Sequence, residues 1–319
     1  MYGNCRETSL WLLYKTGNHV FGRGLMRMKN ACIAVLGMFD GVHVGHQALL
    51  HRASELKKET SLPVKLLTFE THPKALFGQP PVMLTNNQQK EKLCLSYGVD
   101  EVIFLPFDET MRMMGAEQFV SEYLMNQWNA KYVVVGENYR FGYCHTGNVT
   151  TLIKYQEFQT EVVSSVCLNG ETVSSSRIRT LLADGNLDLA LQCLGHSLEF
   201  EGMVERGRCV GRTLGFRTAN ISGEFPPLCS GVYLTKVMVG DDWFPAISNF
   251  GVLPTFDLKN PPKLESHLLH FEGDLYDQKI LVQFLEFVRK EKRFESSEQL
   301  VAQIEEDIEY AKHYFKNAL

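Results

Sequence analysis

No two cysteines in this 319-residue chain stand in C-x-x-C spacing, although there are eight of them: Cys5, Cys32, Cys94, Cys144, Cys167, Cys193, Cys209 and Cys229. Scattered spacing argues against both a structural zinc site and a disulfide framework, and leaves reduced thiols in a cytoplasmic protein as the expectation. No window holds 18 uninterrupted apolar residues, so no membrane partner is expected. Surplus basic charge is missing too. A net charge of −5 gives no long-range attraction for nucleic acid or an anionic bilayer, so any phosphate site has to be built locally. Internal repeats and low-complexity linkers are absent as well, and the length suits two abutting domains.

At 45% apolar and 22% charged, the composition is that of an ordinary globular protein with ample material for a core. The first thirty residues stand apart, and residues 1–28 are left outside the expected fold. Arg6, Lys15, Arg23, Arg27 and Lys29 face Glu7 alone around a short apolar run, Leu10 to Tyr14, too short for a secretory h-region. Either a leader or a start extended upstream of Met26 and Met28 accounts for them.

From Ala31 onward, apolar β-rich runs at 31–37, 64–69, 101–105 and 131–136 alternate with helical stretches at 47–59, 87–96 and 116–128. This alternation predicts a doubly wound parallel sheet over 29–195. A further helix is expected from Ser175 to Gly185, with Ser174 as N-cap and glycine in the left-handed C′ position. After Leu194 the texture changes to short strands separated by turns, predicting an antiparallel β-barrel or sandwich over 196–319. Leu300, Ile304 and Ile308 at i, i+4 spacing predict a closing amphipathic helix.

Chemistry is expected first between the first strand and the first helix, at Gly37–Gln47, GMFDGVHVGHQ. Open α/β sheets place ligands here, and His43 and His46 are three apart, so at a helix start they share a face and suit a polyphosphate. Gly41 and Gly45 permit close backbone approach. The segment resembles the G-x-F-D-x-x-H-x-G-H motif of the HxGH nucleotidyltransferases. The resemblance implies His43 and His46 as catalytic residues and Gly37, Phe39, Asp40 and Gly45 as ATP and phosphate contacts. It continues in Val173–Arg179, whose Ser174, Ser175, Ser176 and Arg179 fall on the positions that would hold the leaving pyrophosphate.

Thr68–Pro73 (TFETHP) and Val135–Gly142 (VGENYRFG) are similar to segments of the bacterial bifunctional riboflavin kinase and FAD synthetase family, with Thr71 and Tyr139 as departures. Asn138, Arg140 and Phe141 are thereby implied in flavin binding.

In the β-rich half, Gly207–Asn220 (GRCVGRTLGFRTAN) lacks the order of a Walker loop. It resembles instead the family's kinase signature G-R-T-x-G-F-P-T-A-N. That likeness implies Gly211 and Arg212 at phosphate and Thr218 and Asn220 at Mg2+, which prefers hard oxygen ligands. Asn249–Phe256 and Glu265–Phe271 match further motifs, placing Glu265 as the general base. Arg217 replaces a proline, and its guanidinium either assists a phosphate or repels the metal. His270 and Asp277 depart from the usual aspartate and glycine.

The family implies small-molecule partners alone: ATP, riboflavin, FMN and FAD as substrates or products, with Mg2+ in both steps. The expectation is phosphorylation of riboflavin in the barrel and adenylylation of FMN in the N-terminal domain. The alternative is a monofunctional FAD synthetase with a silent barrel.

Overall fold

The computed structural model describes residues 31–78, 80–206, 216–251 and 262–317. Strand β1 (Cys32–Leu36) is buried throughout, with Cys32, Ala34 and Leu36 facing one core and Ile33 and Val35 the other. A strand covered on both faces reads as a continuous apolar run. Helix α1 (Val44–Thr60) lays Leu49, Leu50, Ala53 and Leu56 on the sheet and stops at Ser61, which adopts φ 59°.

Then come β2 (Val64–Phe69), α2 (Asn87–Ser96), β3 (Glu101–Leu105), α3 (Glu109–Met113) and α4 (Ala116–Phe119), which continues as π-helical turns to Gln127. After β4 (Ala130–Gly136) the hairpin β5 (Arg140–Phe141) and β6 (Gly147–Asn148) leads to α5 (Val149–Ile153) and β7 (Gln159–Val163). A second hairpin, β8 (Cys167–Leu168) and β9 (Glu171–Thr172), precedes α6 (Ser175–Asp184) and α7 (Leu187–Leu194).

The sheet runs β3-β2-β1-β4-β7, all parallel. Successive strands step outward from β1 in one direction and from β4 in the other. The order therefore reverses between β1 and β4, opening a crevice beyond their carboxyl ends.

The second half closes. Strands β10 (Leu198–Glu205), β11 (Ala219–Ser222), β12 (Gly231–Val239), β13 (Asp242–Gly251), β14 (Lys263–Leu268) and β15 (Lys279–Lys290) form a barrel in the order β10-β11-β14-β13-β12-β15. Every neighbouring pair is antiparallel, which resolves the barrel-or-sandwich choice. Helix α8 (Ser297–Asn317) seats Ile308, Ala311 and Phe315 on Val232, Leu234 and Ile247, and Arg289 Nε donates to Asp307 Oδ1 at 2.9 Å.

The halves share a core, in which Leu182, Leu187 and Leu194 of the α6–α7 pair pack with Leu198, Tyr233 and Phe284 of the barrel. The junction also touches the loop after β1. Gln47 Nε2 donates to Leu194 O (2.6 Å) and Val42 O (2.9 Å), and His196 Nε2 lies 2.8 Å from Gly41 O.

Candidate functional site

The loop from β1 to α1 is strained and pinned. Phe39 (φ 52°) and Val42 (φ 37°) occupy left-handed backbone, an outlier for a β-branched residue. Asp40 holds the loop down: its Oδ1 accepts the N–H of Leu84 (2.9 Å) and Thr85 (3.3 Å), and its Oδ2 pairs with Arg179. Thr85 Oγ1 accepts from Gly41 N–H at 3.1 Å, and Thr68 Oγ1 donates to Met38 O at 2.8 Å. Asp40 is only 1% exposed. Burial pushes its carboxyl up, while the Arg179 cation and the two amide donors pull it back.

His43 is the N-cap of α1, its Nδ1 accepting the N–H of His46 at 3.3 Å. With Nδ1 an acceptor, the ring proton sits on Nε2, leaving a donor beyond the cap. The rings of His43 and His46 stack at 3.7 Å between centroids, and Phe39 lies 4.7 Å from His46. Burial pulls His43 down to about 4 and His46 well below the ordinary range, so both are neutral at pH 7. His46 Nδ1 is buried without a partner among the described residues, as are Trp128 Nε1 and Thr160 Oγ1. The missing side chain at Gly45 leaves room for the His43 ring, because a Cβ there would stand 3.1 Å from His43 Cε1.

Helix α6 starts at the same place. Ser174 caps it by accepting from Arg177 N–H (3.2 Å), and Ser175 Oγ donates to Asp40 O (2.9 Å). Two helix N-termini thus converge beside the histidine pair, directing partial positive charge and free N–H groups at one point, an arrangement that suits a polyphosphate. Arg179 Nε donates to Val82 O at 2.7 Å, so its guanidinium is fixed on two sides. Across the crevice, Asn138 Nδ2 donates to Ser165 Oγ (3.3 Å) on the exposed turn after β4, where Arg140 is exposed as well.

On the barrel's outer face, register aligns a polar row. Asn220 pairs with Glu265, and Glu265 with Asn249. Thr218 and His267 stand two positions along on the same face, while Ala219, Leu264 and Ser266 point inward and are buried. Burial pushes the Glu265 carboxyl up, partly offset by Lys263. His267 Nδ1 donates to Arg217 O at 2.8 Å. A cleft of about 1170 Å3 opens here, lined by Arg217, Thr218, Asn220, His267, His270 and Lys312 among others, with Glu265 beside it. Thr218 and Asn220 offer a hydroxyl and an amide oxygen. Among the described residues no group of three His, Cys, Asp or Glu gathers. That donor set fits Mg2+ carried largely by phosphate and water oxygens.

Residues 25–177 match the family model described as FAD synthetase, and residues 194–315 the one described as riboflavin kinase. The bifunctional riboflavin kinase/FMN adenylyltransferase of Escherichia coli strain K12 is 35% identical over 305 residues, 92% of this chain and 97% of that one. The chain belongs to the bifunctional riboflavin kinase/FMN adenylyltransferase family. Its Bacillus subtilis member is 30% identical over 89% of this chain and 93% of its own length. A crystal structure described as a macrolide-efflux protein from Streptococcus pneumoniae superposes with a TM-score of 0.83 at 30% identity, covering 89% of this chain and 94% of that one. Among the described residues no helix is long and apolar enough to cross a membrane.

Within this family frame, three of the residues expected at ligands are enclosed in this structure. Phe39 is fully buried, its ring centroid 4.7 Å from that of His46. Asp40 is enclosed, where it pairs with Arg179 and accepts the N–H groups of Leu84 and Thr85. Phe141, 7% exposed, stacks on Tyr139 in the core, so of the expected flavin contacts only Asn138 and Arg140 face outward. Ser176 is exposed at the α6 start, and Gly37 leaves room for the Phe39 ring, 2.8 Å from where its Cβ would be. Gly211 and Arg212 lie outside the described residues. His72, Thr85 and Lys90 were missed. The TFETHP segment at the end of a strand is the available signal for His72; Lys90, in a polar helix, gives none.

Proposed function

We propose that the chain phosphorylates riboflavin to FMN and adenylylates FMN to FAD, with 196–319 performing the first reaction and 29–195 the second, in the cytosol. The observation that carries this reading is the pairing, at the sheet's switch point, of the stacked His43–His46 rings with the capped start of α6.

In adenylyl transfer a phosphate oxygen of FMN attacks the α-phosphorus of ATP as the bond to the β-phosphate breaks. Catalysis is positioning plus stabilisation of charge on the phosphate oxygens. Neutral imidazoles do this by donating N–H. His43 Nε2–H is preset by its cap bond, and His46 stands stacked on it with part of its surface exposed. Arg179 and the Ser174–Ser176 turn face the leaving pyrophosphate, while Asn138 and Arg140 face the flavin. In the barrel, Glu265 takes the proton of the ribityl hydroxyl as it attacks the γ-phosphorus, and its raised pKa makes it the stronger base. Thr218 and Asn220 would hold Mg2+, which supplies charge neutralisation of the triphosphate when bound.

A monofunctional FAD synthetase is the second reading, motivated by Arg217. Separating the products after incubation with ATP and Mg2+ decides between them. Riboflavin converted to FMN and then FAD supports two working sites. FAD from FMN alone supports the silent barrel, and neither product overturns both readings.

A further inference from the structure

Lys90 on α2 is fully buried, yet no carboxylate lies within ion-pair distance of it among the described residues. Its ammonium passes over the Phe104 ring, 5.7 Å from the centroid, and reaches Thr68 Oγ1 at 3.5 Å. Thr68 has its own proton committed to Met38 O, so it accepts from Lys90 and links the lysine to the loop that carries Asp40. Of three ammonium donors one is used, at the long limit of a hydrogen bond. A buried, under-bonded cation is costly for stability, and such groups concentrate at functional sites.

The groups facing Lys90 come from every element packed around it: Asp40 after β1, His46 on α1, His72 after β2, and Cys94 on α2 itself. Arg179 of α6 stands beyond Asp40. Asp40 and Arg179 cancel each other. His46 is neutral, and burial lowers His72 as well. Lys90 is the surplus positive charge of this cluster, within electrostatic reach of Asp40 and His46. With no exposed surface it does not touch a bound nucleotide.

We propose that Lys90 is a positioning residue for adenylyl transfer, whose fixed charge acts through Asp40 and Thr68 to hold the β1–α1 loop and Arg179 ready for the polyphosphate chain. The proposal rests on the adenylylation reading. The second reaction of the same polypeptide supplies an internal control of folding.

The experiment compares wild type and Lys90→Met for FAD formation from FMN across pH, with riboflavin phosphorylation measured on the same samples. The expected result is a fall in kcat for FAD formation of about tenfold or more, less than the loss of a direct donor would cause. The acid limb of the surviving activity should move to higher pH. Asp40 loses a cation that favours its carboxylate and His46 loses one that disfavours its imidazolium, so both protonate more readily. Riboflavin phosphorylation should be unchanged. FAD formation at the wild-type rate, or a loss by one factor at every pH, overturns the proposal. If phosphorylation falls as well, Lys90→Arg decides: retention of FAD formation with the wild-type pH profile supports a charge role, and its loss overturns it. A wild-type chain that forms no FAD removes the underlying reading instead.

Discussion

The imidazole of His43 lies over that of His46 with 3.7 Å between ring centroids, and the same pair is tied by the His46 N–H to His43 Nδ1 hydrogen bond. One side chain thus caps α1 and presents its second nitrogen to the crevice. Substituting either histidine with alanine should lower FAD formation about 10²-fold, the scale of a lost electrostatic contact, with riboflavin phosphorylation intact. FAD formation near the wild-type rate in both variants would remove the pair from catalysis.

The buried His43 also makes stability pH-dependent. Its folded value of about 4 lies below the ~6.5 of an unfolded histidine, so the unfolded chain binds the proton more readily. The stabilisation is complete above about pH 6.5 and is lost as pH falls towards 4, on the order of 3 kcal/mol in all. His46 adds to the same trend. Urea midpoints between pH 7.5 and 4.5 should fall for the wild type and fall less for His43→Ala.

Much of the frame was legible because it is local. The ranges 64–69, 87–96 and 101–105 coincide with β2, α2 and β3, and α6 has the expected Ser174 cap and left-handed Gly185. Helix α7 was not anticipated: its eight residues, LDLALQCL, alternate leucines in a way that suits a strand as well as a helix. The site's support was hidden for another reason. Asp40 meets Leu84 across 44 positions and Arg179 across 139, and no periodicity reports such distances. Phe39 and Phe141 show the converse, since a motif names a position without saying whether its side chain faces the ligand or the core.

Gly45 separates stability from activity. It is the second residue of α1 and does not have positive φ, so alanine there gains helix propensity, on the order of 0.5–1 kcal/mol. The new Cβ would meet His43 Cε1 at 3.1 Å and Nδ1 at 3.2 Å, which displaces the ring. Gly45→Ala should therefore hold or raise the urea midpoint while lowering kcat for FAD formation. Unchanged kcat would show that the exact seat of His43 is not needed.

Glu265 tests the barrel independently. Replacing it with glutamine keeps its shape opposite Asn220 but removes the base, so riboflavin phosphorylation should fall by about 10²–10⁴-fold. FAD formation from supplied FMN should be unaffected. Phosphorylation within a few-fold of wild type would pass the proton to another acceptor.

The bond from His267 to Arg217 O bears on the missing proline. Proline fixes φ at this position by its ring; here the peptide preceding Thr218 is tethered through its carbonyl, with Phe216 set edge-on to the histidine ring at 6.1 Å. His267→Phe should lower kcat/KM for phosphorylation by about tenfold, the upper end of what one neutral hydrogen bond contributes. In an Arg217→Pro background the same change should cost less, because the ring already restrains the segment that carries Thr218. The coupling in this double-mutant cycle is the quantity to measure. Equal losses in both backgrounds would mean that His267 serves the site by another route and that the proline's role is vacant in this chain.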